Sequence, residues 1–194
     1  MTAAEASQLL TIEQYLEGEL RSDVRHEYLG GYVYAMAGAR TQHNRIATNF
    51  TVALGSALRD QPCEPFNSDM KVRVQLASHT RFYYPDAMVV CTPNAPDEPF
   101  QDQPVVVAEV LSAETRRIDE GEKREAYCAI PSLRVYLLIE QDLPRVVAYR
   151  RGEQGFTREV YDGPDAVFPL AEIDADLPLA ELYRRVDFAP TADC

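Results

Sequence analysis

Residues 104–140, PVVVAEVLSAETRRIDEGEKREAYCAIPSLRVYLLIE, carry the clearest indication of the fold of this chain. The segment opens with a nearly continuous apolar run, passes through a polar stretch of helical character that must end before Pro131, and closes with a second apolar run, RVYLLIE. Two buried strands joined by a helix form a β-α-β crossover, which pairs the strands in parallel. We therefore predict an α/β fold with a central mixed sheet flanked by helices.

Weaker patterns before and after this stretch predict the remaining elements. TIEQYLEGEL predicts a short helix capped by Thr11, and HEYLGGYVYAMAG predicts a strand pair that turns at Gly30-Gly31. A long helix follows Thr41, because the apolar residues after it recur on one helical face. Further strands are predicted at residues 70–76 and 82–90, a hairpin in RVVAYRRGEQGFTREV, and a last short helix in PLAELY.

The composition narrows the class of protein. With 194 residues, 46% of them hydrophobic, and no repeat, the chain suits one domain, predicted to span residues 1–188 and to be followed by a flexible tail at 189–194. Its N-terminal stretch lacks the pattern of a signal peptide, and no apolar run approaches the roughly 20 residues of a membrane span. We expect a soluble, cytoplasmic protein with no membrane partner. The four cysteines are scattered, which predicts free thiols and argues against a zinc site.

The net charge of −12 argues against a polyanionic partner, but the charge is unevenly distributed. Between Arg40 and Arg81, six basic residues stand against three acidic ones, so this window carries +3 and the rest of the chain −15. The window is either a chance fluctuation on a solvated surface or a local basic face. If it is a basic face, nucleic-acid phosphates would be held by Arg45, Lys71, Arg73 and Arg81.

Two carboxylates interrupt apolar strands. In YYPDAMVV, residues 83–90, Asp86 lies between two tyrosines and an apolar run, and the two-residue period of a strand puts Glu109 on the side of Val105, Val107 and Leu111. Burying a bare carboxylate is costly unless it is paired or binds a metal. Each acid alone could meet an arginine or lie at a strand end in water. An Asp and a Glu on adjacent strands together form the oxygen-rich site that Mg²⁺ or Mn²⁺ prefers.

Other polar residues are predicted near these strands, although each is as readily structural: Glu27 in the first hairpin, His43 at the start of the long helix, and Asp69 before the basic strand. On the crossover helix, Asp119, Lys123 and Tyr127 recur at i, i+4 and i+8 and share one face, which usually indicates an exposed salt-bridge pair. The chain has two lysines, Lys71 and Lys123. An ammonium has a tunable pKa, so Lys123 is a candidate to orient or deprotonate a water.

The order and spacing of these motifs resemble a known family. Pro85-Asp86 is followed, after 22 residues, by EVLS-x-x-T-x-x-x-D-x-x-x-K-x-x-x-Y, and the HEYLGG hairpin and the helix with His43 precede them. Over residues 8–186 the chain resembles the Uma family of putative restriction endonucleases, in the PD-(D/E)XK nuclease superfamily. The resemblance implies a restriction-endonuclease-like core with an added N-terminal hairpin. In that core Asp86 and Glu109 would hold a divalent ion, with Glu27, His43 and Asp69 as outer members.

One position departs from the superfamily motif, because the expected lysine two residues after Glu109 is Leu111. The resemblance implies that Lys123 on the following helix replaces it. The predicted function is hydrolysis of phosphodiester bonds in nucleic acid, with DNA as the expected polymer, Asp86, Glu109 and Lys123 as catalytic residues, and a homodimer as the expected assembly. Two alternatives stay open. One is a nucleic-acid-binding or protein-interaction module that no longer cleaves, and the other is a hydrolase of smaller phosphate esters.

Overall fold

The computed structural model describes residues 9–188, and the tail predicted at 189–194 lies outside them. The helices of this part are α1 (Ile12–Glu19), α2 (Thr41–Ala57), α3 (Arg116–Ile118), a π-helical turn (Asp119–Lys123), α4 (Arg124–Cys128), a 3₁₀ turn (Ala171–Ile173) and α5 (Leu179–Leu182). The strands are β1 (His26–Leu29), β2 (Tyr32–Ala35), β3 (Glu64–Asn67), β4 (Lys71–Gln75), β5 (Thr80–Tyr83), β6 (Ala87–Val90), β7 (Phe100–Gln101), β8 (Pro104–Val110), β9 (Val135–Ile139), β10 (Arg145–Gly152), β11 (Gly155–Asp162), β12 (Val167–Leu170) and β13 (Ala175–Pro178).

The strands form two mixed sheets and one small hairpin. The six-stranded sheet has the order β11-β10-β9-β8-β6-β3, in which β8 and β9 are parallel and the other neighbours antiparallel. The helical residues 116–128, called the crossover helix below, connect β8 to β9. The five-stranded sheet has the order β2-β1-β5-β4-β7, and β12 pairs with β13. The predicted α/β fold with a mixed sheet and a β-α-β crossover is therefore confirmed.

The chain changes sheets at Pro85-Asp86. The prediction of a single strand over residues 82–90 is wrong, because β5 pairs with β1 and β4 in one sheet whereas β6 pairs with β3 and β8 in the other. Proline has no N–H to donate to a strand ladder, so the ladder stops here. Asp86 consequently lies in the short connection just before β6 rather than within a strand.

The six-stranded sheet is covered on both faces. One face packs against α2, which buries the predicted apolar stripe of Ile46, Phe50, Leu54 and Leu58. The other face packs against the crossover helix and against strands β4 and β5 of the five-stranded sheet. Along β8 the residues alternate between the two faces as predicted, except that a register shift opposite Val89/Val90 moves Val105 to the α2 side.

The N-terminal hairpin turns at the predicted glycines. Gly30 and Gly31 have φ angles of 58° and 107°, a region that favours glycine because a Cβ is strained there. Helix α1 begins at the predicted Thr11 cap, whose hydroxyl accepts a hydrogen bond from the Gln14 backbone N–H.

The prediction that the cysteines are free thiols is wrong for two of them. A disulfide joins Cys63 to Cys91, which lie one residue beyond the Glu64–Val90 pair of β3 and β6. The sequence separation of 28 residues gave no sign of this contact, because the pairing of the two strands creates it. Cys128 is a free thiol. In residues 9–188 no helix is long and apolar enough to cross a membrane.

Candidate active site

Four elements bring acidic side chains to one end of the β6–β8 pair. Ala87 pairs with Ala108, so the next position along each strand sets Asp86 beside Glu109. Glu27 comes from β1, and Asp119 comes from the crossover helix, which covers this face of the sheet. Lys123 lies among these four carboxylates, which together with it are called the acidic cluster below.

Lys123 contacts three of the four acids. Its Nζ lies 2.9 Å from Glu27 Oε1, 3.1 Å from Glu109 Oε1 and 3.7 Å from Asp119 Oδ1. Glu109 is only 4% exposed, and its Oε1 also accepts a hydrogen bond of 2.9 Å from the Tyr127 hydroxyl. The ammonium and the phenol thus provide the partners that a buried carboxylate needs.

Asp86 has a different set of partners. Its Oδ2 accepts a hydrogen bond of 2.7 Å from the Val110 backbone N–H and lies 3.2 Å from His43 Nε2. Burial works to lower the pKa of His43, but the hydrogen bond to Asp86 and its negative charge outweigh burial and raise the pKa above its ordinary value. His43 Nδ1 is buried without a hydrogen-bond partner in the described part of the chain.

The acidic cluster contains four carboxyl groups and one lysine, and burial shifts the pKa values of several of them. Burial raises the pKa of Glu109 well above its ordinary range, and the neighbouring acids add to this effect while Lys123 opposes it. Burial also raises the pKa of Asp119, again against the effect of Lys123. For Lys123 itself burial works to lower the pKa, but Glu109, Glu27 and Asp119 outweigh it and raise the pKa. Lys123 is therefore an ammonium at neutral pH, which fits orienting a water or stabilising negative charge better than deprotonating a water.

The face of the crossover helix that carries Asp119, Lys123 and Tyr127 is buried. Their spacing in the sequence would usually indicate an exposed salt-bridge pair. Asp119 is 2% exposed and Tyr127 is fully buried, and both lie with Lys123 against the six-stranded sheet. The π-helical turn at Asp119–Lys123 widens the helix there, and such turns are frequent at functional sites. The i, i+4, i+8 spacing is the sequence signal that singles out Asp119. The burial of this helix face, however, results from its packing against the six-stranded sheet.

Leu111 cannot serve as a polar site residue, because it is 1% exposed and packs in the core between the sheet and the crossover helix. Asp69 lies apart from the acidic cluster. It is exposed at the surface and forms an ion pair with Arg25.

The four basic residues predicted to hold phosphates all have partners within the chain. Lys71 is 6% exposed and donates a hydrogen bond of 3.1 Å to the Tyr84 hydroxyl, so it is too deeply buried to bind a phosphate at the surface. Arg73 forms two hydrogen bonds to Asp102, at 2.7 and 2.8 Å, and Arg81 lies 3.0 Å from Glu122. The Arg45 guanidinium donates to the Arg185 carbonyl at 2.6 Å. Carboxylates thus neutralise Arg73 and Arg81, whereas Lys71 and Arg45 contact neutral oxygens.

The acidic cluster fits a divalent cation in its donor chemistry. It supplies hard carboxylate oxygens, although Glu27 Oε1 and Glu109 Oε1 already face the Lys123 ammonium at 2.9 and 3.1 Å. Among residues 9–188, no three Asp, Glu, His or Cys side chains are arranged as a ready-made metal site. The carboxyl groups outnumber the one lysine among them, and a cation would stabilise their ionised forms.

The mixed sheets, the crossover helix and the buried acids beside a lysine place this protein in the class of nuclease-like α/β folds. A crystal structure of a putative nuclease belonging to DUF820, from Anabaena variabilis ATCC 29413, shares this fold with a TM-score of 0.70 at 18% sequence identity, covering 90% of this chain and 97% of that one.

The family follows from a match to the family model Uma2, described as "Putative restriction endonuclease", over residues 12–180. The chain belongs to this Uma2 family. Two proteins of Synechocystis sp. (strain ATCC 27184 / PCC 6803 / Kazusa) are each 33% identical to it. Uncharacterized protein sll1609 matches over 158 residues, 78% of this chain and 86% of its own length, and uncharacterized protein slr1290 over 147 residues, 75% and 76%.

Proposed function

We propose that this protein is a metal-dependent endonuclease that hydrolyses phosphodiester bonds in DNA. The observation that carries the proposal is the acidic cluster, in which Asp86 and Glu109 lie side by side and Lys123 contacts Glu109 at 3.1 Å. Membership of the Uma2 family supports a nuclease, and the residues supply the chemistry that such a reaction requires.

Asp86 and Glu109 would hold Mg²⁺ or Mn²⁺, with Glu27 and Asp119 as the nearest further carboxylates. When bound, such an ion supplies Lewis acidity toward a phosphate and lowers the pKa of a water. The Val110 N–H and His43 fix the direction of the Asp86 carboxylate, and Tyr127 fixes that of Glu109. Lys123 presents an ammonium that orients a water or stabilises developing negative charge.

Among the predicted phosphate contacts, Arg45 has the best-placed side chain. It lines an open groove of about 450 Å³ together with Thr41, Asn44 and Asn49, on the same helix as His43. A guanidinium and neutral hydrogen-bonding side chains suit a phosphate backbone. We propose that the substrate backbone follows this groove toward the acidic cluster.

The test is cleavage of supercoiled plasmid with Mg²⁺ or Mn²⁺, comparing the wild type with Asp86→Asn. The asparagine keeps an oxygen that can accept from the Val110 N–H, so we expect a folded variant whose cleavage falls by at least about 100-fold, the scale on which loss of one electrostatic group acts. Asp176→Asn, the same change at an exposed residue of β13, is the matched control and should cleave like the wild type. Equal cleavage by Asp86→Asn and the wild type would refute the assignment.

A second candidate is a nucleic-acid-binding module that does not cleave. Two observations favour it, the apolar Leu111 at the motif position and the lack of a ready-made metal site among the described residues. DNA binding that persists in chelator, with no cleavage in any divalent ion, would support this alternative over the enzyme.

A further inference from the structure

Two tyrosines on β2 are exposed in a chain that otherwise covers its tyrosines. Tyr32 is 54% exposed and Tyr34 53%, whereas the other nine of the 11 tyrosines are buried or half-buried. The two residues are separated by one position on a strand, so both rings stand on the same face of the five-stranded sheet. No packing requirement inside the described chain accounts for two large aromatic side chains at this place.

This face of the sheet is the one that leads to the acidic cluster. Tyr34 lies directly opposite Glu27 on β1, and directly opposed residues of antiparallel strands project to the same side with Cβ atoms about 5 Å apart. Glu27 in turn reaches Lys123 at 2.9 Å. Tyr32 lies opposite Leu29, which packs in the core beneath the crossover helix. The tyrosine pair therefore forms the outer border of the same surface whose inner part is the acidic cluster.

Extending the function proposed above, we infer that Tyr32 and Tyr34 form a stacking surface for unpaired bases of the nucleic-acid substrate. Bases stack on exposed aromatic rings without regard to sequence, and this contact needs no positive charge. Stacking can therefore contribute to binding although Arg73 and Arg81 are paired with carboxylates inside the chain.

The spacing of the rings selects unpaired nucleotides. Residues two apart on a strand are about 7 Å apart, roughly twice the 3.4 Å between neighbouring bases of one strand in a duplex. The two rings cannot both meet adjacent bases that remain stacked on each other, but they can meet bases that have been separated. Single-stranded DNA, or an unpaired stretch next to the cleavage point, is the form of substrate that fits this surface.

The experiment measures binding of a fluorescein-labelled single-stranded oligodeoxynucleotide and of its duplex by anisotropy, with EDTA present so that cleavage plays no part. We expect the wild type to bind the single strand more tightly. Tyr34→Ala and Tyr32→Ala should each weaken single-strand binding by about fivefold or more, the effect of losing one stacked ring. Tyr34→Phe keeps the ring and should restore the affinity, and Val160→Ala, which truncates an exposed side chain on β11, serves as the matched control.

Salt dependence separates stacking from charge. Losing a stacked ring should raise the dissociation constant by the same factor at every salt concentration. Losing a phosphate contact instead changes the slope of the logarithm of the dissociation constant plotted against the logarithm of the salt concentration. Unchanged single-strand binding in both alanine variants would overturn the inference, and so would the absence of any oligonucleotide binding by the wild type. Unchanged binding together with a lower sedimentation coefficient of the alanine variants would assign the surface to a second copy of the chain. In each case plasmid cleavage by the wild type still decides the proposed function separately.

Discussion

At the scale of single residues, Lys123 decides whether the buried acids are tolerated. It is the cation within contact distance of Glu109, Glu27 and Asp119, and it comes from a helix rather than from the strand where the superfamily motif would put a lysine. Its position is therefore important for stability as well as for the proposed chemistry, because removing one partner from a buried charge pair leaves the other charge uncompensated.

We expect Lys123→Met to lower the free energy of unfolding by about 3–5 kcal/mol near neutral pH in EDTA. Urea unfolding followed by circular dichroism would measure the change. Arg21→Met removes a cation from the exposed pair with Glu17 and should cost less than about 1 kcal/mol. A Lys123→Met protein as stable as this control would mean that the acids are not charged in the folded state.

The raised pKa of Glu109 predicts how stability changes with pH. Burial, aided by Asp119, Asp86 and Glu27 and opposed by Lys123, raises its folded-state pKa above the ordinary value of 4.5. The stability that this group contributes is complete below about pH 4.5 and is lost as the pH rises through the raised folded-state pKa. Glu109→Gln cannot titrate, so the wild type should gain stability relative to this variant as the pH falls through the raised folded-state pKa toward about 4.5. Parallel urea-unfolding curves for the two proteins across this range would contradict the shift.

At the scale of elements, the N-terminal hairpin places Glu27 in the acidic cluster, and it depends on its two-glycine turn. Gly31 has a φ of 107°, and a Cβ at this position would lie 2.9 Å from the Leu9 Cβ. Both the strained backbone and the close contact act against any larger residue.

Gly31→Ala should therefore lower the free energy of unfolding by about 1–3 kcal/mol and reduce any cleavage activity, because Glu27 would shift with the hairpin. Gly18→Ala is the matched control. It lies in α1 with no atom within 4 Å of its added Cβ, so it should stabilise the protein slightly. Thermal unfolding of both variants would measure the difference, and equal melting temperatures would show that the turn tolerates a side chain.

At the scale of the whole molecule, the Cys63–Cys91 disulfide closes a long segment. The segment includes β4, β5 and Pro85-Asp86, so the bridge encloses the point where the chain changes sheets. A cross-link between residues separated by 28 positions lowers the entropy of the unfolded chain and thereby raises the free energy of unfolding by about 3–4 kcal/mol.

Reduction with dithiothreitol, or the double change Cys63→Ala and Cys91→Ala, should remove that stabilisation in urea unfolding. Cys128→Ala leaves the bridge intact and should keep the sensitivity of the protein to reductant. Identical unfolding of the wild type with and without reductant would show that the two thiols are not joined in solution.

The elements with local signals could be predicted from the amino-acid sequence alone. The β-α-β crossover, the Thr11 cap, the Gly30-Gly31 turn and the apolar stripe of α2 all appear where the pattern predicts them, because hydrophobic period, capping and turn chemistry act over a few neighbouring residues. The short strands β3, β7, β12 and β13 lacked such a signal and were missed, since they exist only through their pairing partners.

The assembly of the site, in contrast, depends on contacts that form when the elements pack together. Asp86 and Glu109 could be singled out as charges among apolar residues, but the contacts of Lys123 with Glu27 and Glu109 depend on packing the crossover helix and the hairpin against the same end of β8. The same packing buried Lys71, paired Arg73 with Asp102 and joined Cys63 to Cys91. These contacts link residues far apart in the chain. The burial that makes a carboxylate costly, or a lysine indispensable, is a property of the folded arrangement and not of any local pattern.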